Sequence, residues 1–216
     1  MNIRDWSSDV CSSDLEVAEN TPITVIVTNL HVVKNAAVVI TKLNLTEKNG
    51  LGHSSEKVKV DLLKLSSIIK HPNKSIDLCI IPVTPLLKAL NQDGKSVFYK
   101  CITEEMIPTI WNEIFPGAEV KIIGHPKGII DKFHLTPIYR TGFIATDPLT
   151  KFNGEPYFLI DSPSFPGASG SLVWEYRARK LIGILTGTMK NKSLDLGVVL
   201  KSDFLHDFKP ILKERL

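Results

Sequence analysis

Short apolar runs alternate with polar and turn-forming residues along most of the chain, a pattern typical of β-structure. The runs are rich in Val, Ile, Leu and Thr and have the length of strands. A first series covers 23–33, 37–45, 58–69 and 77–83, and a second covers 119–124, 138–146, 157–160, 171–176, 180–187 and 196–200. The pattern therefore predicts an all-β fold with two antiparallel sheets of similar size, each closing on itself into a barrel.

Two stretches depart from this pattern. Segment 85–117 is polar, contains a helical-looking patch over 104–115 and separates the two series, so we interpret it as an interdomain connection. Near the C terminus, apolar residues recur at spacings of about three and four, which predicts an amphipathic α-helix over 202–216 with Ser202 as its N-cap. The predicted organisation is a first barrel over 16–84, the connection over 85–117, a second barrel over 118–201 and the terminal helix.

The first fifteen residues differ from the rest of the chain. Residues 5–15 read DWSSDVCSSDL, a redundant Ser/Asp string that resembles a translated sequencing adapter; a native polar tail is the alternative. We expect 1–15 to be a non-native tail outside the fold. The native N terminus would then be missing, and a signal peptide, an anchor, an activation segment or a leading strand could have been lost with it. Localisation stays open, with the cytoplasm slightly favoured.

Composition excludes several classes of protein. The chain of 216 residues is 43% hydrophobic, which is enough for a sizeable core. Its net charge of +3, or +5 without the tail, comes from scattered lysines, so no nucleic-acid partner is expected. No apolar stretch approaches the roughly 20 residues of a membrane-spanning helix. Three cysteines form no disulfide framework, and we expect neither a metal nor a cofactor. The oligomeric state is not determined by the sequence.

The sharpest chemical signal is Ser169, which stands between glycines in the string GASGS directly before a predicted strand. A glycine two residues before the serine allows backbone conformations that other residues resist. The amides of Gly167 and Ser169 can then converge on one point and form an oxyanion hole. Such a string is also frequent in ordinary turns, so it needs support from elsewhere in the chain.

A serine hydroxyl is a weak nucleophile and needs a base, which in turn needs a third group to orient it. His31 follows an apolar run in the string TNLHVV, and Asp77 opens another apolar run in DLCIIP. Each alone is more often structural, as a core histidine or a turn aspartate. Together with Ser169 they predict a catalytic triad of His31, Asp77 and Ser169.

The strings TNLHVV, DL and GASGS resemble the three catalytic motifs of trypsin-like serine peptidases of the bacterial type, in the same order and at similar separations. Weaker likenesses at 124–128, 142–145 and 196–199 extend the resemblance over about 23–212. It implies two six-stranded antiparallel β-barrels with the triad between them, and a serine endopeptidase that acts on peptides or proteins through an acyl-enzyme. The Gly-x-Gly strand that usually precedes the histidine motif is missing, so we expect an N-terminally truncated first barrel.

The resemblance also implies a substrate-binding region. Pro163, six residues before Ser169, matches the floor of the pocket for the side chain that precedes the cut bond. Thr186 and Gly187 match the strand edge that pairs with the substrate backbone. Because Pro163 carries no carboxylate, a small or medium apolar side chain is expected there rather than a basic one.

Two other function classes compete with a peptidase. The first is a non-catalytic relative that keeps the fold as a binding module. The second is an esterase, which would place its serine on a strand-turn-helix elbow, whereas strand-like sequence follows Ser169.

Overall fold

The structure, a computed structural model, describes residues 3–7, 12–16, 22–36, 38–46, 53–62, 68–131, 135–163, 167–191 and 194–214. The elements of the first part are β1 (Ile3–Ser7), β2 (Ser12–Glu16), β3 (Pro22–Thr28), α1 (Leu30–Val33), β4 (Val38–Thr46), β5 (His53–Asp61), β6 (Ile69–Lys70), β7 (Cys79–Pro82), α2 (Thr84–Gln92) and β8 (Cys101–Thr103). The second part contains β9 (Glu119–Gly124), β10 (Ile138–Ile144), β11 (Tyr157–Asp161), β12 (Leu172–Glu175), β13 (Lys180–Asn191), β14 (Leu194–Lys201) and α3 (Lys209–Lys213). Short 3₁₀ helices cover Glu104–Met106, Pro126–Gly128, Phe152–Gly154 and Ser202–Phe208.

The second part of the chain is a closed six-stranded barrel, as predicted. Its strands follow the order β10-β11-β14-β13-β12-β9, and every neighbouring pair is antiparallel. Alternate residues of β9 are buried, the period of two that a barrel strand needs when one face meets the core. The interior is packed with aliphatic and aromatic side chains, among them Val120, Ile122, Phe158, Ile160, Val173 and Val199.

The described residues of the first part do not show the second closed barrel that the sequence predicted. It consists of a three-stranded sheet, β1-β4-β5, and a five-stranded sheet, β6-β7-β3-β2-β8. Among the described residues, no ladder joins these sheets, and Leu45 and Val97 form an isolated bridge. To close this sheet into a barrel, the edge of β4 that does not pair with β5 would need an antiparallel partner. That edge instead pairs in parallel with β1, and β2 likewise pairs in parallel with β8.

Part of the N-terminal segment belongs to these sheets, in contrast to the expectation that 1–15 lie outside the fold. Ile3–Ser7 is β1, and Ser12–Glu16 is β2, which pairs antiparallel with β3. The physical reason is that an unpaired strand edge offers hydrogen-bonding groups to any extended segment nearby. The rest of the predicted tail lies outside the described residues, and the adapter resemblance of 5–15 stays a prediction.

The helix of the connecting segment lies earlier than predicted. Thr84–Gln92 forms α2, whereas 104–115 contains only the 3₁₀ turn Glu104–Met106. Pro108 interrupts the predicted helix because it has no amide hydrogen to donate. In α2, by contrast, a proline stands in the first turn, where it is tolerated, and Leu86 and Leu90 are buried on one face.

The C-terminal segment closes the junction between the two parts. It starts as the 3₁₀ helix Ser202–Phe208 and continues as α3, so Ser202 is the first helical residue and not the predicted N-cap. Leu205, Phe208 and Leu212 are buried in one cluster with β3 residues of the first part and β13 residues of the barrel. None of the helices in the described part of the chain has the length and apolar composition needed to span a bilayer.

His71 ties the terminal segment to the loop that ends at Asp77. Its ring is buried, contacts Phe208 edge-on with 5.2 Å between centroids, and places Nε2 3.2 Å from both the Phe204 carbonyl and Asp207 Oδ2. The backbone amide of His71 donates to the Leu78 carbonyl at 3.0 Å. His71 therefore links the loop before β7 to the C-terminal segment through its ring and to Leu78 through its backbone.

Cys79 should be chemically inert in the folded chain. It is fully buried in β7, and burial, followed by the negative charge of Asp77, raises the pKa of its thiol to about 12. Because only the thiolate is a good nucleophile, iodoacetamide at pH 8 should leave Cys79 unmodified until the chain is unfolded in guanidinium. Mass spectrometry of native and unfolded samples measures this, with the partly exposed Cys101 as internal comparison. Fast labelling of native Cys79 would show that β7 is not buried.

Candidate active site

His31 and Asp77 lie at the same end of the β3-β7 ladder. The two strands are antiparallel, and Thr28 pairs with Cys79. His31 follows the end of β3 by three residues, and Asp77 precedes the start of β7 by two. The predicted strand over 23–33 is interrupted here by Asn29, after which the short helix α1 turns the chain and exposes His31. The topology thus brings together two residues that are far apart in sequence.

The carboxylate of Asp77 holds His31 at two points. Oδ2 is hydrogen-bonded to the ring Nδ1, and Oδ1 accepts the backbone amide hydrogen of His31 at 2.9 Å. A carboxylate only accepts hydrogen bonds, so the ring proton belongs on Nδ1 and the Nε2 lone pair is available as a base. This is the arrangement that a catalytic histidine requires.

Asn29 positions the backbone of Asp77, a role that the sequence analysis did not assign. Its side chain is fully buried, and Nδ2 donates to the carbonyl oxygen of Asp77 at 2.9 Å. The signal in the sequence was an asparagine directly after the strand-like run over 23–28, because a buried amide needs a specific partner. Asn29 and His31 together fix both the main chain and the side chain of Asp77.

Ser169 lies in a turn whose conformation depends on two glycines. Gly167 and Gly170 have φ values of +87° and +91°, which side-chain-bearing residues rarely adopt. The amide of Gly170 donates to the Leu185 carbonyl at 2.8 Å and thereby anchors the turn to β13. Within the part of the chain that the structure describes, the amides of Gly167 and Ser169 have no acceptor. The preceding residues 164–166 lie outside the described residues.

The serine turn meets the first part of the chain beside the His31 helix. A Cβ atom on Gly170 would lie 2.9 Å from Thr28 Oγ1, so the two backbones are closely apposed at the end of β3. Tyr157 of the barrel strand β11 lies within electrostatic range of Asp77. Its pKa is raised by burial and further by the negative charge of Asp77. The elements that carry the three predicted catalytic residues therefore converge at the interface of the two parts.

The hydroxyl of Ser169 donates to the Thr186 carbonyl at 3.1 Å; among the described residues it makes no hydrogen bond to His31. The ladder between β13 and β14 shifts register between Leu185 and Gly187, which turns Thr186 out of the regular pairing. Thr186 Oγ1 in turn donates to the Val198 carbonyl at 3.0 Å. The structure thus brings Thr186, predicted as a substrate-binding residue, into direct contact with Ser169.

The predicted pocket residue Pro163 is exposed and lies two residues after the end of β11. Its carbonyl accepts a hydrogen bond from Arg140 Nη1, and Nη2 of the same guanidinium is 3.3 Å from Ser162 Oγ. Arg140 was not among the predicted site residues. The available signal was its period-two spacing from Gly142 and Ile144, which places an arginine on the inward-facing side of a barrel strand.

The loop over 124–128, weakly similar to a Gly-x-Pro-x-Gly loop, packs against the serine turn from the barrel side. A Cβ atom on Gly167 would lie 3.3 Å from the backbone nitrogen of Lys127. Burial lowers the pKa of His125, and a backbone hydrogen bond with Ile129 offsets part of this change. His125 is therefore held as a neutral loop residue.

No protein-family model matches the chain, and no curated protein matches it by sequence. Solved structures do match its fold. The HtrA-type protease AlgW with a decapeptide superposes with a TM-score of 0.52 and 16% identity over 89% of this chain and 51% of that one. The serine endoprotease from Yersinia pestis superposes with a TM-score of 0.52 and 17% identity, over 94% of this chain and 61% of that one. The MamO protease domain from Magnetospirillum magneticum superposes with a TM-score of 0.50 and 14% identity, over 89% of each chain.

These similarities define the class of fold. The chain has the fold of trypsin-like serine peptidases, with one closed barrel, a second β-region and a C-terminal helix. It spans about half of the AlgW chain and about three fifths of the Yersinia pestis chain.

Proposed function

We propose that the chain is a serine endopeptidase that cleaves peptide or protein substrates with Ser169, His31 and Asp77. The observation that carries this proposal is the pair of hydrogen bonds between Asp77 and His31. They leave ring Nε2 available as a base at the interface where the Ser169 turn packs against the first part of the chain. A fold shared with serine proteases supports it.

The reaction begins when the Ser169 hydroxyl leaves the Thr186 carbonyl and turns toward His31 Nε2. As Oγ bonds to the substrate carbonyl carbon, its proton passes to Nε2, and Asp77 stabilises the resulting imidazolium. The negative charge on the carbonyl oxygen is received by the amides of Gly167 and Ser169. His31 then gives its proton to the leaving amine as the C–N bond breaks. Water, deprotonated by His31, hydrolyses the acyl-enzyme and restores the serine.

The substrate backbone has a strand edge to pair with. Lys180–Ile184 of β13 pair with β12, whereas 187–191 pair with β14 alone among the described residues. An extended peptide can add to this edge by main-chain hydrogen bonds, with Thr186 and Gly187 at its start. A scissile bond placed there lies beside Ser169, since Thr186 already contacts the Ser169 hydroxyl.

Labelling with a fluorophosphonate probe tests the proposal. We expect the probe to form one covalent adduct, at Ser169, because only an activated serine reacts at a useful rate. Ser169→Ala should abolish labelling and His31→Ala should slow it strongly, while circular dichroism shows that both variants fold. An adduct at another serine, or unchanged labelling in His31→Ala, would overturn the proposal.

One observation favours a second candidate, a binding module that has lost activity. The Ser169 hydroxyl is hydrogen-bonded to the Thr186 carbonyl, a contact that withholds its proton from His31. The same experiment distinguishes the two functions. A folded chain that binds peptides without labelling at Ser169 would be such a module.

A further inference from the structure

The imidazole of His71 is fully buried where the loop before β7 meets the C-terminal segment, which consists of Ser202–Phe208 and α3. It packs edge-on against two phenyl rings of that segment, Phe204 and Phe208, with 5.8 and 5.2 Å between ring centroids. A buried polar ring needs hydrogen-bonding partners for its nitrogens. Both nitrogens of His71 have them, and the partners lie in different parts of the fold.

These partners determine which ring nitrogen carries the proton. The backbone amide of Asn73 donates to Nδ1 at 3.1 Å, so Nδ1 presents a lone pair, although the Asn73 carbonyl also lies 3.3 Å away. Nε2 faces two acceptors, the Phe204 carbonyl and a carboxylate oxygen of Asp207, each at 3.2 Å. The hydrogen therefore lies on Nε2 and is shared between these two oxygens. His71 thus accepts a hydrogen bond from the loop and donates one to the C-terminal segment.

Asn73 connects His71 to the rest of the loop. Its side-chain Oδ1 accepts two hydrogen bonds from Ser75, one from the backbone amide at 3.0 Å and one from the hydroxyl at 2.8 Å. Its carbonyl accepts the amide hydrogen of Ile76 at 3.1 Å. Asp77 is the next residue, so a continuous series of hydrogen bonds leads from the buried ring of His71 to the backbone beside Asp77.

We propose that His71 is a positioning residue of the candidate active site, which holds the loop over 71–77 so that the carboxylate of Asp77 meets His31. The inference rests on the proposed peptidase function and adds a residue that touches neither the substrate nor the reacting atoms. The Asp77 carboxylate must reach both the backbone amide and ring Nδ1 of His31. Two directional hydrogen bonds are satisfied together only over a narrow range of loop positions. The C-terminal segment, which supplies the partners of Nε2, therefore takes part in placing Asp77.

A matched pair of substitutions tests this proposal. Leucine and asparagine have nearly the same shape, but only asparagine has an acceptor atom, Oδ1, that can replace Nδ1 opposite the Asn73 amide. His71→Leu is expected to lower kcat by about 10- to 100-fold and to change KM less than about twofold, because it displaces Asp77 and not the strand edge for substrate. His71→Asn should be about fivefold more active than His71→Leu, the equivalent of one hydrogen bond.

Stability should change in the opposite order. Asparagine buries an amide NH₂ group between Phe204 and Phe208, so His71→Asn should unfold at a lower temperature than His71→Leu. A residue that only fills space would give the more stable variant the higher activity. His206→Asn is the control, because it changes a partly exposed histidine of the same 3₁₀ helix and should alter kcat less than about twofold.

Asn73→Ala tests the next link at an exposed position, where folding is not at risk. It removes both hydrogen bonds with Ser75 and should lower kcat by about threefold or more, with KM unchanged. An unchanged kcat in this variant would show that the loop does not transmit the effect of His71 to Asp77.

The Nδ1 proton of His31 gives a readout that does not require turnover. Hydrogen-bonded to Asp77, it should give a proton NMR resonance far downfield of the amide signals, identified by its absence in His31→Ala. We expect this resonance to shift or disappear in His71→Leu and to recover in part in His71→Asn. An unchanged resonance in His71→Leu, or activities that follow the order of stability, would overturn the positioning role. A parental chain that shows the resonance but is not labelled at Ser169 would overturn the peptidase function alone.

Discussion

Asp77→Asn is expected to lower kcat by about 10⁴-fold while leaving the fold intact. Asp77 accepts two hydrogen bonds from His31, one from the backbone amide and one from ring Nδ1. Asparagine has only one acceptor atom, and the backbone amide, which can only donate, claims it. The new NH₂ group then faces Nδ1 and donates to it. This moves the ring proton to Nε2, where it blocks acceptance of the proton from Ser169.

Steady-state kinetics on a peptide substrate measures this effect. Asp161→Asn is the matched control, because it removes an exposed carboxylate at the end of β11 and should change kcat less than about twofold. Thermal unfolding of both variants separates lost chemistry from lost structure. A decrease below about tenfold for Asp77→Asn would show that His31 is not the base oriented by this carboxylate.

The contact between His31 and Asp77 was more predictable from the sequence than the pairing of the sheets around it. His31 and Asp77 were identifiable because each stands beside a strongly apolar run, and such runs predict β3 and β7 directly. Once these strands pair, their register brings the two side chains to one end of the ladder. Local pattern and one antiparallel pairing are enough to assemble this part of the site.

Pairings between distant segments were not predictable in the same way. The parallel ladders of β1 with β4 and of β2 with β8 leave no periodicity that distinguishes them from antiparallel ones. The choice between a closed barrel and two sheets therefore depends on competition among edges, not on the composition of any single strand. Pro108 gave a local reason to shorten the helix predicted over 104–115, whereas nothing local placed Arg140 against Pro163.

The orientation of the Ser169 side chain was likewise not predictable from the local sequence. Its partner Thr186 lies 17 residues further along the chain, in an irregularity between β13 and β14. A bulge arises from the register of two long strands and is not visible in the residues next to Ser169. The sequence predicted that Ser169 is presented on a turn, but not the direction of its hydroxyl.

Gly170→Ala in the Ser169 turn should lower kcat/KM by about 100-fold, because small displacements of a nucleophile have effects of that size. Alanine at a φ of +91° is strained by about 1–2 kcal/mol. Its Cβ atom would also lie 2.9 Å from Thr28 Oγ1, and Thr28 is buried and cannot move aside freely. The strain is relieved by shifting the Ser169 turn away from the end of β3 and from His31.

Gly154→Ala is the control that isolates this displacement, since Gly154 has a φ of +81° and nothing within 4 Å of an added Cβ atom. Both variants should lose similar stability from the backbone, but only Gly170→Ala should lose activity. Adding Thr28→Ala to Gly170→Ala removes the opposing oxygen and should restore part of kcat/KM. Equal activity of Gly154→Ala and Gly170→Ala, measured with fluorophosphonate-titrated enzyme, would mean that the contact between the turn and β3 does not position Ser169.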